Sequence, residues 1–580
     1  MAEAVGRAPG FRVAKVAMLS ALILAGCAPA TPRPASQPAE TPTTSETRPL
    51  VVFIGNEPNS LATRAFAAKG RGLYTAWRMF NGTLALIDDH GVPQPELLAS
   101  LPTLNTDAWQ VFPDGTMETT YTLRPNLTWH DGEPLTSDDF VFSWRVYSSP
   151  DLGLASQPPM PAIADVAAID REHFVIRWKA PYPEADSLSL KSRELPPLPQ
   201  HILGPLFDQV AVAGRDSLLT NAFWGRDYVG AGPYRLQSWE EGSAIDAVRF
   251  EGYALGVPKI PRIQLRFSGD QNVVLAHMLA GEAQVSADTS MSQAAADTLA
   301  AEWARTNGGT IINPPSSWRA IYVQMRPELA DPRAVLDARV RKAIAHAVDK
   351  QALNDGIYGG KAIATDTPIY SGSSWGEVLD ESVPAFPFDL RTAESLLNQA
   401  GFAKGPDGLY RGAEGRLSME FTTSQSPDAV RELLAMANAL QAAGLDIQQR
   451  VIPTAQAQDS QLKATFPAVL VAGSDIGEAA LNYFTTAQIP SASNLWQGLN
   501  RGGWSSSEYD RLLAAFNTSL GRPTRVQLAR QLLRVWGEDE PVISLFFPSA
   551  PIAYVARLHG PTNGAPESSL AWNIHLWEFP

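Results

Sequence analysis

Cysteine is almost absent from this chain of 580 residues: Cys27 stands alone, so no intramolecular disulfide can form. Histidine is scarce too. The eight His residues (His90, His130, His173, His201, His277, His346, His559 and His575) show no H-E-x-x-H or other ligand spacing, and no metal site is expected from them. A basic excess is lacking: 46 Lys and Arg stand against 60 Asp and Glu, a net charge of -14, which argues against general nucleic-acid binding. Past the N-terminal region no apolar run is long enough to span a bilayer. No period of about 20–50 residues recurs, which excludes a solenoid or propeller.

What is present begins with an export signal. Arg7, Arg12 and Lys15 precede the apolar run 16–25 (VAMLSALILA), about half the length a membrane-spanning helix needs. The run ends in Leu24-Ala25-Gly26-Cys27, which resembles the bacterial lipobox. That resemblance implies cleavage before Cys27 and lipid attachment to its thiol. Residues 28–48 (APATPRPASQPAETPTTSETR) are rich in Pro, Thr, Ser and Ala and cannot bury enough surface to offset ordering entropy. They are expected to be an extended, disordered tether that holds a globular body away from a membrane.

The body has 45% hydrophobic residues and 15 Trp, ample material for cores, and its length implies two or three lobes at roughly 100–200 residues per domain. Strand-like runs alternate with amphipathic helices, the pattern of a mixed α/β protein. Strands are predicted at 50–54, 119–123 and 542–547. Thr136 and Asp139 fit a capping box before Phe140, Val141 and Trp144. Asp337 opens a helix carrying Val340, Ile344, Ala347 and Val348 on one face. A helix over 389–400 is stopped by Gly401, and another is predicted over 523–536.

Several segments, in order, resemble the family 5 extracellular solute-binding proteins, the group of dipeptide- and oligopeptide-binding proteins. These are Glu57-Pro58-Asn59-Ser60-Leu61, residues 121–140 (YTLRPNLTWHDGEPLTSDDF), 197–202 (PLPQHI), 229–234 (VGAGPY) and Gly281-Glu282-Ala283. Residues 337–344 (DARVRKAI) with Ala347-Val348-Asp349, Asp389, Ala400-Gly401-Phe402 and 500–513 (NRGGWSSSEYDRLL) continue the match. Most of these are scaffold: His130 and Asp131 are read as fixing a turn.

The resemblance implies a type II periplasmic-binding-protein-like venus flytrap with a large extra lobe, three lobes in all. The expected division is a signal peptide at 1–26, the tether at 27–48, and lobe I from pieces 49–81, 230–318 and 547–580. Lobe II would span 82–229 and lobe III 319–546. Closure would bury a ligand between lobes, where backbone can pair with it as an added strand would. Peptide-binding members resemble one another in a Trp-x-x-Asp-Tyr-x-x-Pro-like segment whose Asp receives the ligand's amino terminus. Here the segment reads 472–479 (AGSDIGEA): the Asp falls on Asp475, but the Trp, Tyr and Pro are missing. Gln324 replaces a usual Asn.

Other constellations carry little chemistry. Gly372-Ser373-Ser374-Trp375-Gly376 spells the G-x-S-x-G of serine hydrolases, yet Pro384 and Pro387 follow and no long helical pattern begins at Ser374. It reads as a surface loop. Gly230-Ala231-Gly232 lacks a third glycine, and Pro233 removes a donor that a phosphate would need. Gly359-Gly360-Lys361 ends like a P-loop, but Asp355 stands where the first glycine belongs. Trp318, Trp375, Trp496 and Trp504 lie in polar surroundings, where aromatic planes could wall a cleft or simply pack.

The expected ligand-contact set is therefore Asp475 with Gly473 and Ser474, Trp318 with its neighbours Ser317 and Arg319, and Trp496, with Cys27 carrying lipid. No catalytic residue and no cofactor are expected. The expected role is a monomeric, lipid-anchored, extracytoplasmic binder handing a peptide or peptide-like solute to ABC-importer permease subunits. An oligosaccharide, a nickel or haem complex, or ligand sensing remain alternatives on the same scaffold. A surface-anchored hydrolase is the distant one.

Overall fold

The computed structural model describes residues 48–64, 73–155, 157–189, 194–456, 459–494, 496–565 and 568–580. The expected export signal, Cys27 and the expected tether up to residue 47 lie outside the described residues.

The chain starts with β1 (Leu50–Ile54), an unbroken apolar run that suits a strand covered on both faces. Leu50, Val52 and Ile54 belong to one core with Phe80, Ile263 and Leu265, while Phe53 belongs to another with Val274, Met278 and Leu299. After helix α1 (Tyr74–Phe80) the chain builds a separate antiparallel sheet. Its strands are β2 (Trp109–Val111), β3 (Met117–Thr122), β4 (Ile163–Ala168) and β5 (His173–Trp178), in the order β2-β3-β5-β4. In β3 the side chains alternate, Met117, Thr119 and Tyr121 buried, as one covered face requires. Helix α2 (Ser137–Tyr147) packs on this sheet and begins with the expected capping box: Asp139 Oδ2 accepts from Thr136 N at 2.9 Å.

The chain then returns to β1's sheet with β6 (Tyr234–Glu240), β7 (Ala244–Arg249), β8 (Arg262–Phe267), β9 (Val285–Ser286) and β10 (Gly309–Ile312). From β10 it crosses into a third sheet, built from β11 (Trp318–Val323), β12 (Ile363–Ala364), β13 (Ser418–Ser424), β14 (Asp446–Ile452), β15 (Val469–Ser474) and β16 (Val542–Phe547). Helices α3 (Ala338–Ala347), α4 (Lys350–Tyr358), α5 (Leu390–Gln399) and α6 (Pro427–Ala443) contribute to one core of this sheet. Helices α7 (Ser507–Thr518) and α8 (Arg522–Asp539) contribute to the other. The sheet runs β12-β16-β11-β15-β13-β14. All six residues of β16 are buried, as two covered faces demand. Finally β17 (Ile552–Val555) rejoins the first sheet, whose order is β10-β17-β9-β1-β8-β7-β6.

Helix α8 runs beyond the predicted 523–536. Gly537 sits inside it because Pro384 packs there, a Cβ lying only 2.8 Å from Pro384 Cγ. Glu540 closes the helix in the left-handed region (φ 45°), a position sequence patterning assigns to Gly or Asn.

The first and third sheets are joined by a short ribbon rather than a single strand. Residues 313–317 run out beside 548–551, held by Ser316 N donating to Pro548 O (2.9 Å) and Ala550 N to Pro314 O (3.0 Å). Pro315 bridges Ser549. Four prolines (Pro314, Pro315, Pro548 and Pro551) fix φ and remove donors, so few backbone bonds tie the crossing together.

Candidate functional site

Strand direction places a crevice. In the first sheet β1 runs parallel to β8 and β9, and β10 shares the direction of β9 because both are antiparallel to β17. Since β10 ends at the ribbon, the C-terminal ends of β1, β8 and β9 lie on the ribbon side. In the third sheet β11 starts at the ribbon and is antiparallel to β15 and β16, while β13 parallels β14 and β15. Their C-terminal ends also lie on the ribbon side. Crevices at the carboxyl ends of parallel strands are where open α/β sheets bind ligands.

On the first-sheet side, the segments after β1 and β9 are locked together. Gly55 N donates to Asp288 O at 3.1 Å, and a Cβ on Gly55 would sit 3.0 Å from Asp288 O and Thr289 O. Asp288 Oδ2 accepts from Thr75 N at 2.9 Å, fixing the first turn of α1. On the third-sheet side, Gly473 and Ser474 end β15 opposite Arg319 and Trp318. Arg319 Nε donates to Glu432 Oε2 of α6 at 2.9 Å, Nη2 pairs with the same oxygen, and Tyr358 OH donates to Oε1. Glu432 is 2% exposed. Burial, with Glu432 beside it, raises the Tyr358 phenol far above its ordinary range, so it stays a donor. Arg501 lies over the Tyr322 ring, 5.1 Å from its centroid, and donates to Gly473 O at 3.3 Å.

The expected site residues thus fall at different places. Gly473, Ser474, Ser317 and Arg319 cluster at the strand ends. Asp475 follows directly, an exposed carboxylate whose Oδ2 accepts from Tyr483 OH. The Trp318 ring is fully buried among Tyr322, Phe484 and Trp536, so only its backbone borders the crevice. Trp375 and Trp504 are buried as well. Trp496 is half-buried on a turn at φ 60°. Glu432, Tyr358 and Arg501 were missed by sequence reasoning, since nothing local marks residues whose partners lie far along the chain: Tyr358 and Glu432 are 74 positions apart, Arg501 and Gly473 28.

The sequence motifs are joints. His130 Nδ1 accepts from Gly230 N at 3.2 Å and Nε2–H donates to Gly232 O at 3.0 Å. Asp131 accepts from His201 Nε2 at 2.8 Å, and Asp139 Oδ1 from Gln200 N at 3.1 Å. Glu57 accepts from Trp239 Nε1 and from Gly242 N, pinning the β6–β7 hairpin. Ser374 lies in a loop before a single 3-10 turn (Gly376–Val378), without the strand–turn–helix that presents a nucleophile. Asp88, Asp89 and His90 bring three side chains within 4.8 Å, but Asp88 already accepts from His90 N, Val92 N and Gln94 Nε2.

Comparison with known proteins agrees with this architecture. The family described as bacterial extracellular solute-binding proteins, family 5 Middle, matches residues 101–494. A protein of Brucella ovis named as an ABC transporter peptide-binding protein is 24% identical over 60% of this chain. The match spans only 59% of that relative's length. Among solved structures, the oligopeptide-binding protein of Thermus thermophilus complexed with a pentapeptide has a TM-score of 0.72 at 21% identity, covering 91% of this chain and 96% of that one. NikZ of Campylobacter jejuni in complex with Ni(L-His) gives 0.71 at 20%, covering 91% and 99%. The fold is that of the type II periplasmic binding proteins, with several lobes.

Proposed function

The chain belongs to the bacterial extracellular solute-binding proteins of family 5, and from that premise we propose that it captures a peptide or peptide-like solute outside the cytoplasmic membrane and delivers it to the permease of an ABC importer. The observation that carries this reading is the pair of sheets turning the carboxyl ends of their parallel strands toward one Pro-rich ribbon. Such a ribbon is a hinge: two crossings with few backbone bonds let the outer lobes rotate while each sheet stays intact. A ligand held between the strand ends would be buried by rotation, its backbone pairing with the end of β15, where residues 472–474 run past the last pairing with β13 (Thr423 with Val471).

In this reading lobe I is formed by 49–81, 230–318 and 547–580, lobe II by 82–229 and lobe III by 319–546. Asp475 would receive a ligand ammonium, and Cys27 would carry the lipid that keeps a monomeric binder at the membrane. The protein does no chemistry of its own. The relative named as a peptide-binding protein supports a peptide-like ligand.

The test is to incubate the purified protein with a peptide library, recover what stays bound by native mass spectrometry, and follow the radius of gyration. Intact peptides should be recovered, with compaction at saturation. Cleaved peptides would overturn the binder reading. Recovery of an oligosaccharide, or of a nickel or haem complex, in place of peptide would overturn the ligand class.

A further inference from the structure

The space above Gly473 is bounded by donors. A Cβ built on Gly473 would lie 3.4 Å from Arg319 Nη1, 3.8 Å from Arg319 Cδ and 3.9 Å from Ser317 Oγ, and these are its three nearest neighbours. All three belong to side chains, none to backbone, and they come from the ribbon and from β11. Gly473 itself ends β15, with Arg319 opposite it in the β11–β15 register.

The guanidinium is anchored from one side only. Nε and Nη2 are taken by the buried Glu432, which Tyr358 also grips. Nη1 makes no hydrogen bond among the described residues, and neither does Ser317 Oγ. Guanidinium carries five N–H donors in a fixed plane, so a carboxylate gripping the Nε–Nη2 edge leaves Nη1 preset for a second acceptor. A second cation, Arg501, reaches the carbonyl of the same Gly473 and has no carboxylate partner among the described residues. Two guanidinium groups therefore meet at one strand end, where Glu432 is saturated and buried and Asp475 is engaged by Tyr483. Glu432 offsets Arg319, and Asp475 keeps its charge because Tyr483 is a neutral donor, so it is the unfilled Nη1 and Oγ donors rather than a net positive charge that call for an acceptor there.

We propose that the space over Gly473 takes a carboxylate of the ligand, with Arg319 Nη1 and Ser317 Oγ donating to its oxygens. This deepens the peptide-binding reading and rests on it. The carboxylate is either the peptide's C-terminus or an acidic side chain; both present the same oxygens. Glycine at 473 is then a requirement of access. Its backbone is not in the left-handed region, and a methyl there would make only ordinary contacts, so the fold itself tolerates alanine.

The test uses alanine peptides of two to five residues, each as the C-terminal acid and amide, and each with one Glu or its isostere Gln. Isothermal titration should show that either terminal amidation or Glu-to-Gln exchange weakens wild-type binding about tenfold or more, a charge-assisted bond's worth. Whichever carboxylate is felt identifies the source. Arg319→Gln should shrink that discrimination to within about twofold. Gly473→Ala should do the same by filling the space, with an unchanged melting temperature, and it decides the matter if Arg319→Gln misfolds. Peptides bound equally well in all four forms, or discrimination that survives Gly473→Ala, would overturn this assignment and leave the peptide reading standing. Failure to bind any of the peptides would overturn both.

Discussion

Arg525 of α8 pairs with Glu184 at 2.9 Å although 341 positions separate them, and only about a tenth of either side chain is exposed (10% and 11%). The guanidinium lies against two neighbouring rings, 4.4 Å from the Phe516 ring centroid and 4.9 Å from that of Trp375. Glu184 belongs to the part of the chain that carries the four-stranded sheet, while Arg525, Phe516 and Trp375 pack with the third sheet. Two parts of the molecule that share no sheet are therefore tied by a shielded ion pair. Leu520 strengthens the junction by packing against the core of the four-stranded sheet. The more exposed pair of Lys361 with Asp297, which links the third sheet's part to the first, contributes less in high dielectric.

Neutralising either partner should loosen that junction. Arg525→Gln and Glu184→Gln are each expected to cost about 1–3 kcal/mol, because each leaves a shielded charge without its counter-ion. The double Gln variant should cost less than the sum, which a double-mutant cycle in urea measures. Strict additivity would show that the two residues are not coupled.

Gly232 is needed for close approach, since a Cβ there would lie 2.5 Å from Asn81 N and from Phe80 C. Gly232→Ala should therefore destabilise by about 3 kcal/mol or more, the range of a core steric conflict. Gly356 in α4 is the control, because a methyl there would meet nothing within 4 Å. Gly356→Ala should be neutral or stabilising by up to about 1 kcal/mol from helix propensity. Equal midpoints for the two variants would refute the packing argument.

Acid should weaken the joint at His130. Burial pushes its imidazole down to about 4, and Arg235 acts in the same direction against the opposing pull of Gly232 O and Asp131. Nδ1 must stay unprotonated to accept from Gly230 N, so protonation would break that bond. The unfolded ring has the ordinary value of 6.5 and takes up a proton first. Stability from His130 is thus complete above about pH 6.5 and falls as pH drops toward 4, by roughly 1–3 kcal/mol. His130→Gln should flatten this part of the stability profile between pH 7 and 4. An unchanged slope would assign the loss to other groups.

If Cys27 carries the proposed anchor, Cys27→Ser should release the protein from membranes or leave it as an uncleaved precursor, because the chain has no second cysteine to take a thioether-linked lipid. Membrane fractionation together with intact mass decides this. A correctly cleaved variant that still sediments with membranes would refute the anchor.

Local rules were readable in the sequence wherever one segment contained the whole cause. The Thr136–Asp139 capping box, the helix opened by Asp337 and the buried run of β16 each need only neighbouring residues, and each formed as expected. Asp389, read as the first residue of its helix, instead caps a helix that runs over Leu390–Gln399. The family was legible too, because its motif residues hold joints, as His130, Asp131 and Glu57 do, and joints demand fixed residue types.

Tertiary structure alone decided which aromatic rings are core. Trp318 stands in a polar stretch, yet β11 turns its ring into the cluster with Phe484 and Trp536. It alone also decided the charge partners: Arg319 finds Glu432 across 113 positions, and Arg525 finds Glu184 across 341. Strand direction did the rest, by bringing the carboxyl ends of β1, β9, β13 and β15 to one ribbon. A linear pattern records what each residue requires of its neighbours along the chain. Which distant residue meets that requirement is set by how sheets pair and pack, because packing contacts act only at close range and charge pairs are screened beyond about 10 Å.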